Sequence, residues 1–252
     1  MINVGAENLG FTTYPPAYLN LQVKGNNLLN GANFASGASG YYGPTAKLYR
    51  AIPLDQQLEH YKECRNVLVG VTGTSNASSI ISDAIYLVSA GSSDFVQNYY
   101  INPLLYKVYT ADQFSDIVMQ DYIVFIQSLY ALGARRIGVT TLPPLGCLPA
   151  AITLFGSSSN ECVERLNTDA VNFNNKLNIT SQNLQISLSN LTLAVLDIYQ
   201  PLHELVTKPA ENGKLVNYKV NEYVFWDGFH PSEAANKVLA DGLLLSGISL
   251  IS

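Results

Sequence analysis

Arg136-Ile137-Gly138-Val139-Thr140-Thr141-Leu142, running straight into Pro143-Pro144, is the stretch that decides the fold. It is rich in apolar and β-branched residues and does not alternate. It stops at prolines, which have no N–H to give to a ladder. A strand of this kind suits a parallel sheet covered on both faces. Residues 84–90, ending at Gly91, and residues 191–198 read the same way. Between the runs lie helical patterns. Thr110 and Gln113 have the spacing of a capping box. Phe114, Ile117, Val118, Tyr122, Phe125, Ile126 and Leu129 follow at intervals of three and four, and Gly133 sits where the helix should stop. A second helix is expected over about residues 161–188, with Leu166, Ala170, Phe173 and Leu177 on one face. A third is expected after Pro231, and another over about residues 54–70. Strand alternating with helix implies right-handed crossovers and an open parallel α/β sheet. Ligands of such sheets bind beyond the carboxyl ends of the strands. That singles out the turn after Gly91, the loop Pro143-Pro144-Leu145-Gly146-Cys147, and the segment after Ile198.

The chain has 252 residues, which suits one domain over residues 1–252. Its 48% hydrophobic content excludes a disordered chain. The formal charge is −5, and the 14 lysines and arginines form no dense patch, which speaks against nucleic-acid binding. No apolar run reaches the 18 or so residues of a spanning helix. Met1-Ile2-Asn3-Val4-Gly5 lacks the basic and apolar regions of a signal peptide, so a cytoplasmic location is expected if Met1 is the true start. Against that stand the glycosylation acceptor patterns at Asn76, Asn178 and Asn190, a hint of secretory ancestry. Cys147 and Cys162 flank a Gly/Ser-rich loop and can close a short disulfide in an oxidising compartment, leaving Cys64 as a small buried apolar residue.

Of the three histidines, His60 and His203 read as helix surface. His230 lies three residues after Asp227 in Trp226-Asp227-Gly228-Phe229-His230-Pro231, directly before a capped helix. A turn there can place a carboxylate against an imidazole, fixing its tautomer and stabilising its charged form, as a catalytic base requires. The same spacing also serves an Asp that caps the turn with His230 incidental. No metal-ligand spacing, dinucleotide fingerprint or phosphate loop occurs, so no cofactor is expected. No Gly-x-Ser-x-Gly elbow occurs either. Ser92 and Ser93 follow a strand and remain the nucleophile candidates, although a strand-end turn capped by its own Ser and Asp is an equal reading.

Together these segments make the chain resemble the plant-type GDSL esterase/lipases of the SGNH hydrolase superfamily. The likeness rests on residues 31–40 (Gly-Ala-Asn-Phe-Ala-Ser-Gly-Ala-Ser-Gly), 87–95, 133–149 and 225–233, in family order. It implies a flavodoxin-like three-layer sandwich and hydrolysis of acyl or lipid esters through a serine. It further implies His230 as base, Asp227 as its orienter, and oxyanion donors at the Gly31 N–H and at Ser93, where the family usually carries Asn. It also implies secretion. Two departures stand out. The family's strand and Gly-Asp-Ser block would precede Ala6-Glu7-Asn8-Leu9-Gly10-Phe11, so the sheet is expected to lack its first central strand and the site its nucleophile. The insert usual before the last block is reduced to Pro209-Ala210-Glu211-Asn212-Gly213-Lys214-Leu215 and its neighbours. A shortened hydrolase with weak or no activity is therefore expected. The alternative is a non-catalytic chain that binds an acyl or apolar ligand or a partner, with self-association through exposed strand edges.

Overall fold

A computed structural model describes residues 14–20, 25–157, 161–208 and 223–251. The segments around Ala6 and Pro209 discussed above lie outside the described residues. Among the described residues, three strands form one parallel sheet in sequence order: β1 (Ile85–Val88), β2 (Arg136–Thr140) and β3 (Thr192–Leu196). Each matches an expected run but is shorter, because the run's ends turn away from the ladder. The longer helices are α1 (Leu54–Thr72), α2 (Thr74–Asp83), α3 (Ala111–Ala131), α4 (Glu164–Ser187), α5 (Tyr199–Thr207) and α6 (Glu233–Ser246).

The register explains why β2 reads as continuously apolar. Ile137 and Val139 stand opposite Tyr86 and Val88 on one side and Leu193 and Val195 on the other, and these residues share a face. That face packs against Val118, Tyr122 and Ile126 of α3 and Phe173 and Leu177 of α4 in the main core. The alternate residues Ala194 and Leu196, with Ile85 beside them, pack against Leu243 of α6 and Leu250. Gly138 sits between them on that second face, where an added Cβ would lie about 3.0 Å from Leu196 and Leu250. Helices thus cover both faces, giving the flavodoxin-like α/β arrangement expected. At Thr110 the capping box forms in full, with Gln113 N–H donating to Thr110 Oγ1 at 3.2 Å and Gln113 Oε1 accepting from Thr110 N–H at 2.9 Å. Gly133 follows the helix with a φ of 104°, the left-handed conformation that favours glycine.

The loop after β2 is tied down covalently. Cys147 and Cys162 form a disulfide, and Asn167 of α4 accepts the Gly146 N–H at 2.8 Å. With a sequence separation of 15, the crosslink is expected to contribute about 3 kcal/mol by restricting the unfolded chain. Cys147→Ala combined with Cys162→Ala should lower the urea midpoint accordingly, with the slope checked for a change in the unfolded state.

Candidate active site

The turn at residues 225–231 is built by its own carboxylate. Asp227 Oδ1 accepts the backbone N–H groups of Phe229 at 2.7 Å and His230 at 2.8 Å. Trp226 N–H donates to the His230 carbonyl at 2.8 Å, and Phe225 pairs with Pro231 as an isolated antiparallel bridge. Ser232 then caps α6 by accepting from Ala235 N–H at 3.2 Å. From across the chain, Ala150 N–H donates to the Gly228 carbonyl at 3.0 Å, docking the turn on the helix Pro149–Phe155. Into this frame His230 brings Nδ1 to within 2.8 Å of Asp227 Oδ2. An ionised carboxylate only accepts, so Nδ1 carries the proton and the neutral ring offers its lone pair at Nε2. Three donors hold the Asp227 carboxyl down at about 2: first the Phe229 N–H, then the His230 ring, then the His230 N–H. The carboxylate is therefore ionised throughout the physiological range, as a group orienting an imidazole must be. Both side chains remain open to water, His230 at 73% exposure and Asp227 at 44%.

His230 stands at a cavity of about 620 Å³ whose lining also includes Gly31, Ser92, Ser93 and the apolar groups Leu28, Phe34 and Leu68. The fold thus gathers residues separated by up to two hundred positions at the carboxyl end of β1, while Asp227 stands behind His230. Two details qualify the candidates. The Gly31 N–H donates to the Leu28 carbonyl at 3.1 Å, so an incoming oxyanion would have to share or replace that bond. Among the described residues no hydrogen bond joins Ser92 or Ser93 to His230. The other histidines lie elsewhere: His60 contacts Gln56 at 3.3 Å and His203 stacks on Tyr199. Among the described residues no cluster of metal-ligating side chains occurs.

Asp94 closes the Gly91-Ser92-Ser93 turn and is fully buried. Read in the sequence as a local cap, it instead binds a distant segment. It accepts the Tyr41 N–H at 2.8 Å and the Thr45 hydroxyl at 2.6 Å. Thr45 in turn accepts from Asn98 at 3.0 Å. Nothing in the local sequence signals this, because its partners lie some fifty residues away. Burial raises the Asp94 carboxyl to about 7, opposed by the bonds from Thr45, Tyr41 and Tyr42 and reinforced by the charge of Asp121. A carboxyl that ionises at 3.8 unfolded and near 7 folded favours the fold fully below about pH 3.8, and that advantage is lost as the pH rises through 7. Asp227, shifted down, contributes in the opposite sense: its stabilisation is present above 3.8 and lost as the pH falls through about 2. Asp94→Asn is expected to flatten the decline in the urea midpoint between pH 4 and 7; an unchanged slope would remove Asp94 as its source.

The family profile described as GDSL-like Lipase/Acylhydrolase matches residues 2–243. The chain belongs to the GDSL-like lipase/acylhydrolase family. A GDSL esterase/lipase of Arabidopsis thaliana is 60% identical over 98% of this chain and 76% of its own length. The GDSL esterase/lipase APG of the same plant is 52% identical over 99% of this chain and 78% of its own length, and a more distant one, EXL3, is 32% identical over 95% and 72%. The GDSL relatives are named as ester hydrolases of a plant, which supports hydrolase chemistry on an acyl ester for this chain by family. The first of these matches spans 274 aligned positions against 252 residues here, so that relative holds residues within the matched span that this chain lacks. Among the described residues no helix of this GDSL-family chain is long and apolar enough to cross a membrane.

Proposed function

We propose that the chain is an acyl-ester hydrolase scaffold over residues 1–252 in which His230 is the general base and Asp227 its orienter, with no Gly-Asp-Ser nucleophile segment within those residues. The observation that carries this is the His230 Nδ1 to Asp227 Oδ2 bond of 2.8 Å beside the cavity at the end of β1. It leaves Nε2 free to take a proton from an attacking hydroxyl or water. The sequence contains no Gly-Asp-Ser, and Ser92 and Ser93 belong to a turn held by Asp94 rather than to a strand facing the imidazole. Ser93 supplies at most a short hydroxyl donor to an oxyanion, and Gly31 gives its N–H to Leu28. Hydrolysis by residues 1–252 alone is therefore expected to be slow: the dyad activates water directly, a contribution of roughly 10²–10⁴-fold.

Three exposed asparagines and the disulfide support an oxidising, secretory compartment, with Asn190 the best glycan acceptor. It sits in a turn at a φ of 59°, whereas Asn76 and Asn178 lie within α2 and α4. The 14 lysines and arginines form no dense run in the sequence, which speaks against nucleic-acid binding. A second reading, binding of an apolar ligand without turnover, is favoured by the cavity's apolar walls.

The deciding assay is hydrolysis of p-nitrophenyl acetate and butyrate by the purified chain beside His230→Ala, Ser92→Ala and Ser93→Ala. Slow hydrolysis that depends on His230 and not on either serine is expected. Loss of the rate in Ser92→Ala or Ser93→Ala would put the nucleophile inside this turn. Rates indifferent to His230→Ala would remove the dyad from the mechanism and leave the binding reading.

A further inference from the structure

A second cavity, of about 560 Å³, opens between α1 and α3. Positions 54, 55, 58, 59 and 62 of α1 and 121, 124, 125, 128 and 131 of α3 line it, so one stripe of each helix faces the groove. Leu54, Leu58 and Phe125 border both this groove and the His230 cavity, and so form a wall between them. Asp121 belongs to the groove alone, as His230 belongs to the other cavity alone. The hydrocarbon surface comes from Leu54, Leu58, Phe125 and Val124, the last 61% exposed.

The polar groups of the lining are unequal. Lys62, the one basic residue among its described residues, is paired with Glu59 at 2.6 Å. Asp55 accepts the Gln56 N–H at 2.8 Å. Asp121 has no such partner: burial raises its carboxyl, and no hydrogen bond opposes the shift. Tyr41 lines the same groove, and its buried hydroxyl has no hydrogen-bond partner among the described residues. The Tyr41 and Phe125 rings, with centroids 6.4 Å apart, add aromatic surface of the kind that attracts a cation. These features restrict the occupant. An anion meets an excess of carboxylates. A metal ion asks for several oxygen ligands, and Asp55 and Glu59 are already engaged. A plain hydrocarbon would dry Asp121 further and leave it unpaired. An ammonium on an alkyl chain meets each demand, because it donates to Asp121 and to the Tyr41 oxygen while its chain lies along Leu54, Leu58 and Val124.

We propose that the groove between α1 and α3 is a binding site for an amphiphilic organic cation, a primary ammonium carried on an alkyl chain, seated by Asp121 and Tyr41. This does not depend on the hydrolase reading, because it uses neither His230 nor Asp227.

The probe is octylammonium, titrated into the full chain by isothermal calorimetry below the concentration at which it forms micelles. The expected result is one saturable site. Octanoate, with the same chain and the opposite charge, and methylammonium, with the same head and no chain, should each bind more weakly by about tenfold or more, the scale of one charge-assisted hydrogen bond. Asp121→Asn keeps the shape of the side chain and removes its charge, and should weaken octylammonium by a similar factor. Val124→Lys, at an exposed position of the wall where the fold tolerates a charge, should do the same by repulsion. Leu87→Arg, which alters the His230 cavity alone at a position 45% exposed, should leave the affinity unchanged. Urea unfolding shows that each variant is folded. Absence of saturable binding at millimolar probe, equal binding of octanoate or methylammonium, undiminished affinity in folded Asp121→Asn or Val124→Lys, or loss of binding in Leu87→Arg would each overturn the proposal.

Discussion

Phe95→Ala is expected to destabilise the protein by about 3–5 kcal/mol, the range for removing a fully buried aromatic ring. Phe95 has no exposed surface. Its ring centroid lies 5.5 Å from both Phe114 of α3 and Phe173 of α4, in edge-to-face arrangements, and 6.1 Å from Tyr100. These pairs add to the burial itself, and close-packed neighbours refill such a space only in part. The residue follows Asp94 directly, so its ring also anchors the turn that brings Ser92 and Ser93 to the cavity. Leu104→Ala, at 78% exposure, is the matched control and should stay within about 0.5 kcal/mol. Urea unfolding of both variants measures the difference. A cost for Phe95→Ala no larger than that for Leu104→Ala would show that the aromatic cluster does not hold the turn in place.

The parts of the fold that could be read from the sequence are those whose cause is local. The Thr110–Gln113 box, the α3 stripe and the glycine at 133 each depend on residues within a few turns of one another, and each forms as read. The strands were legible because burial on both faces leaves a continuous apolar run, as at β2. α2 gave no such signal. Thr74-Ser75-Asn76-Ala77-Ser78-Ser79 is poor in helix formers, and the helix is held by the burial of Ala77 and Ile81 against Leu28, Cys64 and Leu68. The site divides the same way. Asp227 and His230 are three residues apart and could be paired on paper. The engagement of the Gly31 N–H by Leu28, the reach of Asp94 to Tyr41 and Thr45, and the gathering of residues 31, 92, 93 and 230 at one cavity are products of the tertiary fold.

The two aspartates show how position rather than residue type assigns a role. Asp227 is wet, accepts three hydrogen bonds including one from an imidazole, and is held ionised at low pH. Asp94 is dry, and burial outweighs its hydrogen bonds, so it stays partly protonated near neutrality. The first is suited to orient a base. The second is suited to hold two segments of backbone together, and it does so at a position that only glycine opposite permits.

Gly40→Ala should therefore be among the most damaging single-methyl changes in the chain. A Cβ built on Gly40 overlaps Oδ1, Oδ2 and Cγ of Asp94. Asp94 cannot swing aside without breaking its bonds to the Tyr41 N–H and the Thr45 hydroxyl, both buried. Overpacking of this kind costs about 1–3 kcal/mol, and each buried donor left without an acceptor adds about 1–3 kcal/mol. The loss expected for Gly40→Ala is thus roughly 3 kcal/mol or more. The cause can be isolated with a double-mutant cycle. Asp94→Ala is itself destabilising, since it orphans the same donors, but it removes the atoms that the new methyl would strike. Gly40→Ala should then cost less than about 1 kcal/mol in the Asp94→Ala background, near the ordinary range for an unobstructed substitution, giving a large coupling energy between two residues 54 positions apart. If the two costs simply add, the overlap with the Asp94 carboxyl is not what excludes a side chain at residue 40, and the hold of Asp94 on residues 41–45 is weaker than its hydrogen bonds imply.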